Sequence, residues 1–179
     1  MTGGRGGPRV TAGLRARLRK VRLLVLDVDG VLTDGGIYYT ERGDEIKKFH
    51  VRDGQGLVRL RAAGVVTAIV SGRRSAGVAR RARELGVREV HQGAADKLAV
   101  VRALLARHRL RPAQAAMIGD DVGDLAALGH VGLAAAVADA VPAVRRAVHY
   151  VTRRRGGEGA VRELCDLLLA ADRPRPRAR

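Results

Sequence analysis

A chain of 179 residues with 46% hydrophobic content is long enough to bury one substantial core, which excludes a disordered polymer and leaves little room for a second domain. Its formal net charge of +16 is concentrated at the ends: residues 1 to 22 hold seven Arg or Lys and no acid, residues 173 to 179 hold four Arg and no acid, and the body between carries 23 basic against 18 acidic residues, a net charge of +5. With three Tyr, one Phe and no Trp, the chain lacks the stacking platforms that a nucleic-acid groove uses, so nucleic acid is not expected as a partner. The Gly- and Arg-rich start has no apolar signal core and no later run approaches a membrane span, so a cytoplasmic protein without a membrane partner is expected.

The composition divides the chain into a flexible basic N-terminal tail (1–20), one folded domain (21–171) and a flexible basic C-terminal tail (172–179). Within the domain, VRLLVLDV reads as a first strand, and GGIYYTERGDEIKKFHV (35–51) as a β-hairpin turning at ERGD. Then follow a helix around 56–63, the strand VVTAIVSG, a helix around 75–85, and the strand REVHQG. A helix at about 96–108, the strand AAMIGD, a helix after Asp121, the strand VGLAAA and a last helix at about 159–171 complete the series. Strands alternating with helices predict an α/β fold: a Rossmann-like parallel sheet with helices on both faces and a small β-hairpin in place of a cap domain. Cys165, the single cysteine, lies in the last apolar helical stretch, where packing is its expected role.

Four polar sets close consecutive strands: Asp27 and Asp29, Ser71-Gly72-Arg73, Gly93 to Lys97, and Gly119-Asp120-Asp121. In a parallel sheet these strand ends share one edge, the edge where ligands bind. Singly, each set also reads as turn or helix-cap residues. Together, crowded carboxylates call for a hard cation such as Mg²⁺, because like charges in proximity repel unless neutralised. Lys97, in the first turn of a helix capped by Asp96, opposes the helix dipole and so calls for an anion nearby; a phosphate suits it, with the Ser71 hydroxyl at the start of another helix.

DVDGVLTDG, SGR, the lysine after QGAAD and GDDVGD resemble the four motifs of the haloacid dehalogenase superfamily of phosphotransferases. FHVRDGQG, GLAAAVADA and GGEGAVRELCDLLL extend the resemblance, over roughly 21–171, to its branch acting on 3-deoxy-D-manno-octulosonate 8-phosphate. The resemblance implies a Mg²⁺-dependent phosphomonoesterase that hydrolyses a 2-keto sugar acid phosphate through an aspartyl phosphate. The nine-carbon sialic-type 9-phosphate is the alternative substrate, and a non-catalytic scaffold of the same fold the alternative from another class. It makes Asp27 the nucleophile, Asp29 the general acid and then base, and Ser71 and Lys97 the holders of the phosphoryl oxygens. Mg²⁺ falls to Asp27, the main-chain carbonyl of Asp29 and Asp120, with Asp121 or Asp124 contributing directly or through water. Arg52, Asp53 and Gly54 are implied as substrate contacts at the end of the hairpin, with Arg73 and Arg81 as further candidates, since a guanidinium fork matches a carboxylate. A homotetramer is implied, with one subunit's hairpin or tail reaching a neighbour's site.

Overall fold

The computed structural model describes residues 11–172; of the tails expected at 1–20 and 172–179, residues 1–10 and 173–179 lie outside the described residues. The first element departs from the expected tail. Residues Ala12–Lys20 form helix α1, capped by Thr11, whose hydroxyl accepts from Leu14 N–H at 3.2 Å. Leu18 buries the inner face against the last helix, and the basic residues of the final turn suit the negative end of the helix dipole. The basic count of this segment therefore belongs to a solvated helix face, with Arg17 also donating to the carbonyl of Gly132 at 2.6 Å.

Strand β1 (Leu23–Leu26) follows, then the hairpin β2 (Tyr38–Tyr39) and β3 (Glu45–Ile46), helix α2 (Val51–Ala62) and strand β4 (Val66–Ser71). Helix α3 (Ala76–Leu85), strand β5 (Glu89–Gln92), helix α4 (Lys97–Arg107) and strand β6 (Ala115–Gly119) continue the alternation. The short helix α5 (Leu125–Leu128), strand β7 (Leu133–Ala136), helix α6 (Pro142–Ala147), strand β8 (Tyr150–Val151) and helix α7 (Ala160–Asp172) end it. The expected α/β class holds, while α6 and β8, six and two residues long, carry too little periodicity to be read from the sequence.

The six-stranded sheet has the order β5-β4-β1-β6-β7-β8 and every pairing in it is parallel. β1 is its centre, and all four of its residues are fully buried, as a strand covered by helices on both faces requires. Cutting Leu24 to Ala here would cost about 2–5 kcal/mol, the usual penalty for a core cavity. On either side of β1 the strand order runs in opposite directions, so the chain diverges at its carboxyl end and opens a crevice there.

Three glycines allow close approaches around the last helix and the loop before it. Gly56 faces α7, where a Cβ would lie 3.2 Å from that of Cys165, so the glycine lets α2 and α7 pack at close range around the buried thiol. Gly156, in the GGEG segment, meets the carbonyl of Gly30 so closely that no Cβ fits, and Gly157 N–H donates to the carbonyl of Val31 at 2.9 Å. The loop before α7 thus braces the loop after β1. Among the described residues, no helix is long and apolar enough to cross a membrane.

Candidate active site

The carboxyl ends of β1, β4 and β6 and the start of α4 enclose an open cleft of about 300 Å³, lined by Asp27, Asp29, Ser71, Arg73, Lys97, Asp120, Asp121 and Asp124. Asp27 is 6% exposed and Asp124 1% exposed, an unusual burial for acidic groups that calls for strong partners. Lys97 supplies one, its ammonium lying 2.9 Å from Asp27 Oδ1 and 2.7 Å from Asp124 Oδ1. Burial opposes the charge on Lys97, but the two carboxylates outweigh it and raise its pKa above the ordinary lysine value. Its place in the first turn of α4, beside the Asp96 cap that accepts from Ala99 N–H at 3.0 Å, aims the stem across the cleft.

One ammonium cannot neutralise three acids. Burial and the neighbouring Asp124 push Asp27 up to about 6 despite Lys97, and burial with Asp27 and Asp124 pushes Asp120 up to about 7. One oxygen from each of Asp27, Asp120 and Asp124 lies within 4.8 Å of the other two, an arrangement able to hold a metal ion. Asp120 Oδ1 is buried with no hydrogen-bond partner, so it has a lone pair to offer. Asp124 is more fully engaged: Oδ1 accepts from Lys97, while Oδ2 accepts from the backbone N–H of Asp120 at 3.0 Å and Asp121 at 3.4 Å. Asp121 instead caps the turn Val122–Asp124, its Oδ1 accepting from Val122 N–H at 2.7 Å, and its side chain is exposed. An all-oxygen donor set of this kind suits a hard divalent cation such as Mg²⁺. Gly30, at φ +80°, is the residue that lets Asp120 in: a Cβ there would overlap the carboxylate.

Ser71 is 2% exposed at the end of β4, and its hydroxyl oxygen accepts from Arg73 N–H at 3.2 Å. The hydroxyl proton is thereby left for an oxygen in the cleft. Arg73 points toward the hairpin, where Nη2 donates to Glu45 Oε1 at 2.7 Å and Nε lies 3.9 Å from Asp29 Oδ2. Asp29, 30% exposed at its side chain, pairs with Lys47, which also lies 3.2 Å from Glu45. Lys47 and Glu45 were not singled out from the sequence. Their signal was the alternation of EIKKFH, which sends Glu45 and Lys47 to one face and leaves Ile46 half-exposed on the other.

The remaining sequence candidates lie outside the cleft. Helix α2 begins at Val51 rather than near 56, so Arg52, Asp53 and Gly54 form its first turn instead of ending the hairpin. His50 caps that turn through Nδ1, which hydrophobic periodicity alone could not reveal. Asp53 is 1% exposed and accepts from Arg162 N–H at 2.7 Å, tying α2 to the start of α7. Gly54 is covered by Arg81 and Leu85, so its missing side chain serves the contact of α2 with α3. Arg81 itself donates to Glu84 Oε2 at 3.1 Å. Arg52 lines a separate groove with Arg154 and Arg162 beside α7.

A buried carboxylate beside a lysine, a cluster of acids able to hold a cation and a hydroxyl at the edge of a parallel sheet fit a phosphoryl-transfer centre of the haloacid dehalogenase type, and the model of haloacid dehalogenase-like hydrolases matches residues 86–164. The chain belongs to that family. It is 48% identical, over 87% of its own length and 83% of that protein, to the 3-deoxy-D-manno-octulosonate 8-phosphate phosphatase of Yersinia pestis. A crystal structure of the Moraxella catarrhalis phosphatase of that name, in complex with magnesium ion, phosphate ion and KDO, matches with a TM-score of 0.86 at 41% identity, covering 88% of this chain and 90% of that one. The cobalt-bound Haemophilus influenzae phosphatase matches with a TM-score of 0.84 at 40% identity, over 87% and 91%.

Proposed function

We propose that the chain is a Mg²⁺-dependent phosphatase that hydrolyses 3-deoxy-D-manno-octulosonate 8-phosphate, acting in the cytoplasm as a homotetramer. The observation that carries the chemistry is Lys97 bridging Asp27 and Asp124 beside the unpartnered Asp120 Oδ1. The substrate rests on the similarity to the Yersinia pestis enzyme over most of both chains.

Asp27 attacks phosphorus with a carboxylate oxygen while Lys97 holds Oδ1, and the bond from phosphorus to the sugar oxygen breaks. Asp29 gives its proton to that departing oxygen, then takes one from the water that attacks the aspartyl phosphate, which restores Asp27 and frees phosphate. Ser71 donates its hydroxyl proton to a phosphoryl oxygen and Lys97 offers a second donor. Asp27, Asp120 and the carbonyl of Asp29 would hold the Mg²⁺, with Asp124 beside them; the bound cation supplies neutralisation of the phosphoryl charge. Asp124 also secures Lys97 and the backbone of the Asp120 loop.

A panel of phosphorylated sugar acids tests the reading. The eight-carbon 8-phosphate is expected to be turned over with the highest kcat/KM in Mg²⁺, with activity lost in EDTA, and Asp27→Asn to be inactive yet folded. Preference for a nine-carbon 9-phosphate would overturn the substrate, and activity in Asp27→Asn would overturn the nucleophile.

A further inference from the structure

The hairpin does more than cover part of the cleft: it delivers a buried cation to Asp29. Lys47 follows directly after β3, and its side chain is 2% exposed although its two neighbours point to water, Ile46 at 51% and Lys48 at 62% of the side chain. Its stem runs against the first turn of α3, where a Cβ on Gly77 would sit 3.8 Å from both Cβ and Cγ of Lys47. Its ammonium pairs with Asp29 Oδ1 and Glu45 Oε1. Glu45 in turn engages Arg73 at 2.7 Å, so two acids and two bases form a closed, charge-balanced quartet joining the hairpin to the ends of β1 and β4. Burying a lysine costs free energy unless it is paired, and a surface hairpin could be anchored more cheaply by apolar contacts.

We propose that Lys47 is a positioning residue for the proton transfers of Asp29, an inference that rests on the acid and base role given to Asp29 above. Asp29 is part-exposed, and Oδ1 is its oxygen with a close charged partner; Oδ2 has Arg73 Nε at 3.9 Å, too far for a hydrogen bond. Lys47 therefore selects one orientation of the carboxylate of this cleft-lining residue, with Oδ1 occupied and Oδ2 left without a hydrogen bond from Arg73. Proton transfer demands that the acid stand within hydrogen-bond reach of the departing oxygen, so loss of that orientation lowers the rate of proton-dependent steps without removing any group that binds phosphate. The hairpin thereby sets the efficiency of the acid step from outside the sheet.

The test is a double-mutant cycle on Lys47→Met and Asp29→Asn, with circular dichroism melts to establish folding. Lys47→Met is expected to lower kcat on the sugar acid phosphate by about 10- to 100-fold, within the range of a mispositioned proton donor, with KM changed by less than about 3-fold. The pre-steady-state burst of nitrophenolate from p-nitrophenyl phosphate, a leaving group that needs no proton, is expected to keep its rate within about 3-fold. In the Asp29→Asn background the same Lys47→Met change is expected to cost less than about 3-fold, because the two act as one unit. Should Lys47→Met fail to fold, Lys47→Gln, which keeps a polar end in the buried site, is expected to give the same pattern. Equal losses with and without Asp29, or a nitrophenolate burst slowed as much as sugar phosphate turnover, would overturn the inference. Full activity in Asp29→Asn alone would instead overturn the acid role on which it rests.

Discussion

Replacing Asp120 by Asn removes a charge from the most crowded point of the molecule, and the metal-free protein should become more stable for it. Burial and the carboxylates of Asp27 and Asp124 raise Asp120 from 3.8 to about 7. That rise corresponds to about 4 kcal/mol of penalty on the ionised form, and the part-exposure of Asp120 screens this to about 2 kcal/mol. Because the folded state binds this proton more tightly than the unfolded chain, the relief is complete below 3.8 and disappears as pH rises through about 7. At pH 8 in EDTA, Asp120→Asn is therefore expected to melt about 4–8 °C above the wild type, given about 2–4 °C per kcal/mol for a chain of this size. The gap should narrow as pH falls toward 5, where the wild-type carboxyl is itself neutral. In Mg²⁺ the order should reverse, since the wild type gains binding free energy that the amide forfeits. Scanning calorimetry at pH 8 and pH 5, each with EDTA and with Mg²⁺, reads all four values. A mutant that melts at or below the wild type in EDTA at pH 8 would refute the reasoning.

Three further outcomes are expected. Lys97→Met should abolish turnover and lower the melting temperature at pH 8, since it leaves Asp27 and Asp124 facing each other unpaired, with a cost of about 3–5 kcal/mol by thermal melts. Gly156→Ala should reduce kcat more than 10-fold, roughly the loss from a misplaced acid, while leaving a folded protein, because its Cβ displaces the Gly30 carbonyl and with it the Asp29 loop; circular dichroism and initial rates separate the two effects. Glu163→Gln should destabilise by about 2 kcal/mol, since this carboxylate accepts from Tyr150 OH at 2.5 Å and from the N–H groups of Arg153 at 3.0 Å and Arg154 at 3.2 Å; an unchanged urea midpoint would contradict it.

The sequence by itself determined the sheet and the polar residues that gather along its edge. Strands such as LLVL and AAMIG are uninterrupted apolar runs because burial on both faces permits nothing else, and the polar residues that end them fall at one edge through the parallel order alone. Asp27, Ser71, Lys97 and Asp120 were therefore legible, because each sits at a strand end or a first helical turn, where the backbone dictates direction. Tertiary structure alone decided which of Asp121 and Asp124 turns inward, since that depends on a turn of three residues in which Asp121 is spent on capping. It alone showed that Arg52, Asp53 and Gly54 start a helix, with Asp53 tied to α7 and Gly54 packed against α3, since the His50 cap overrides the weak periodicity there. It alone turned residues 12–20 from tail into helix, since the burial of Leu18 against α7 is a contact about 150 residues away in sequence. The pairing of Lys47 with Asp29 belongs to the same class: two charges 18 residues apart meet because a hairpin folds back over the sheet edge, and no local pattern encodes the distance between them.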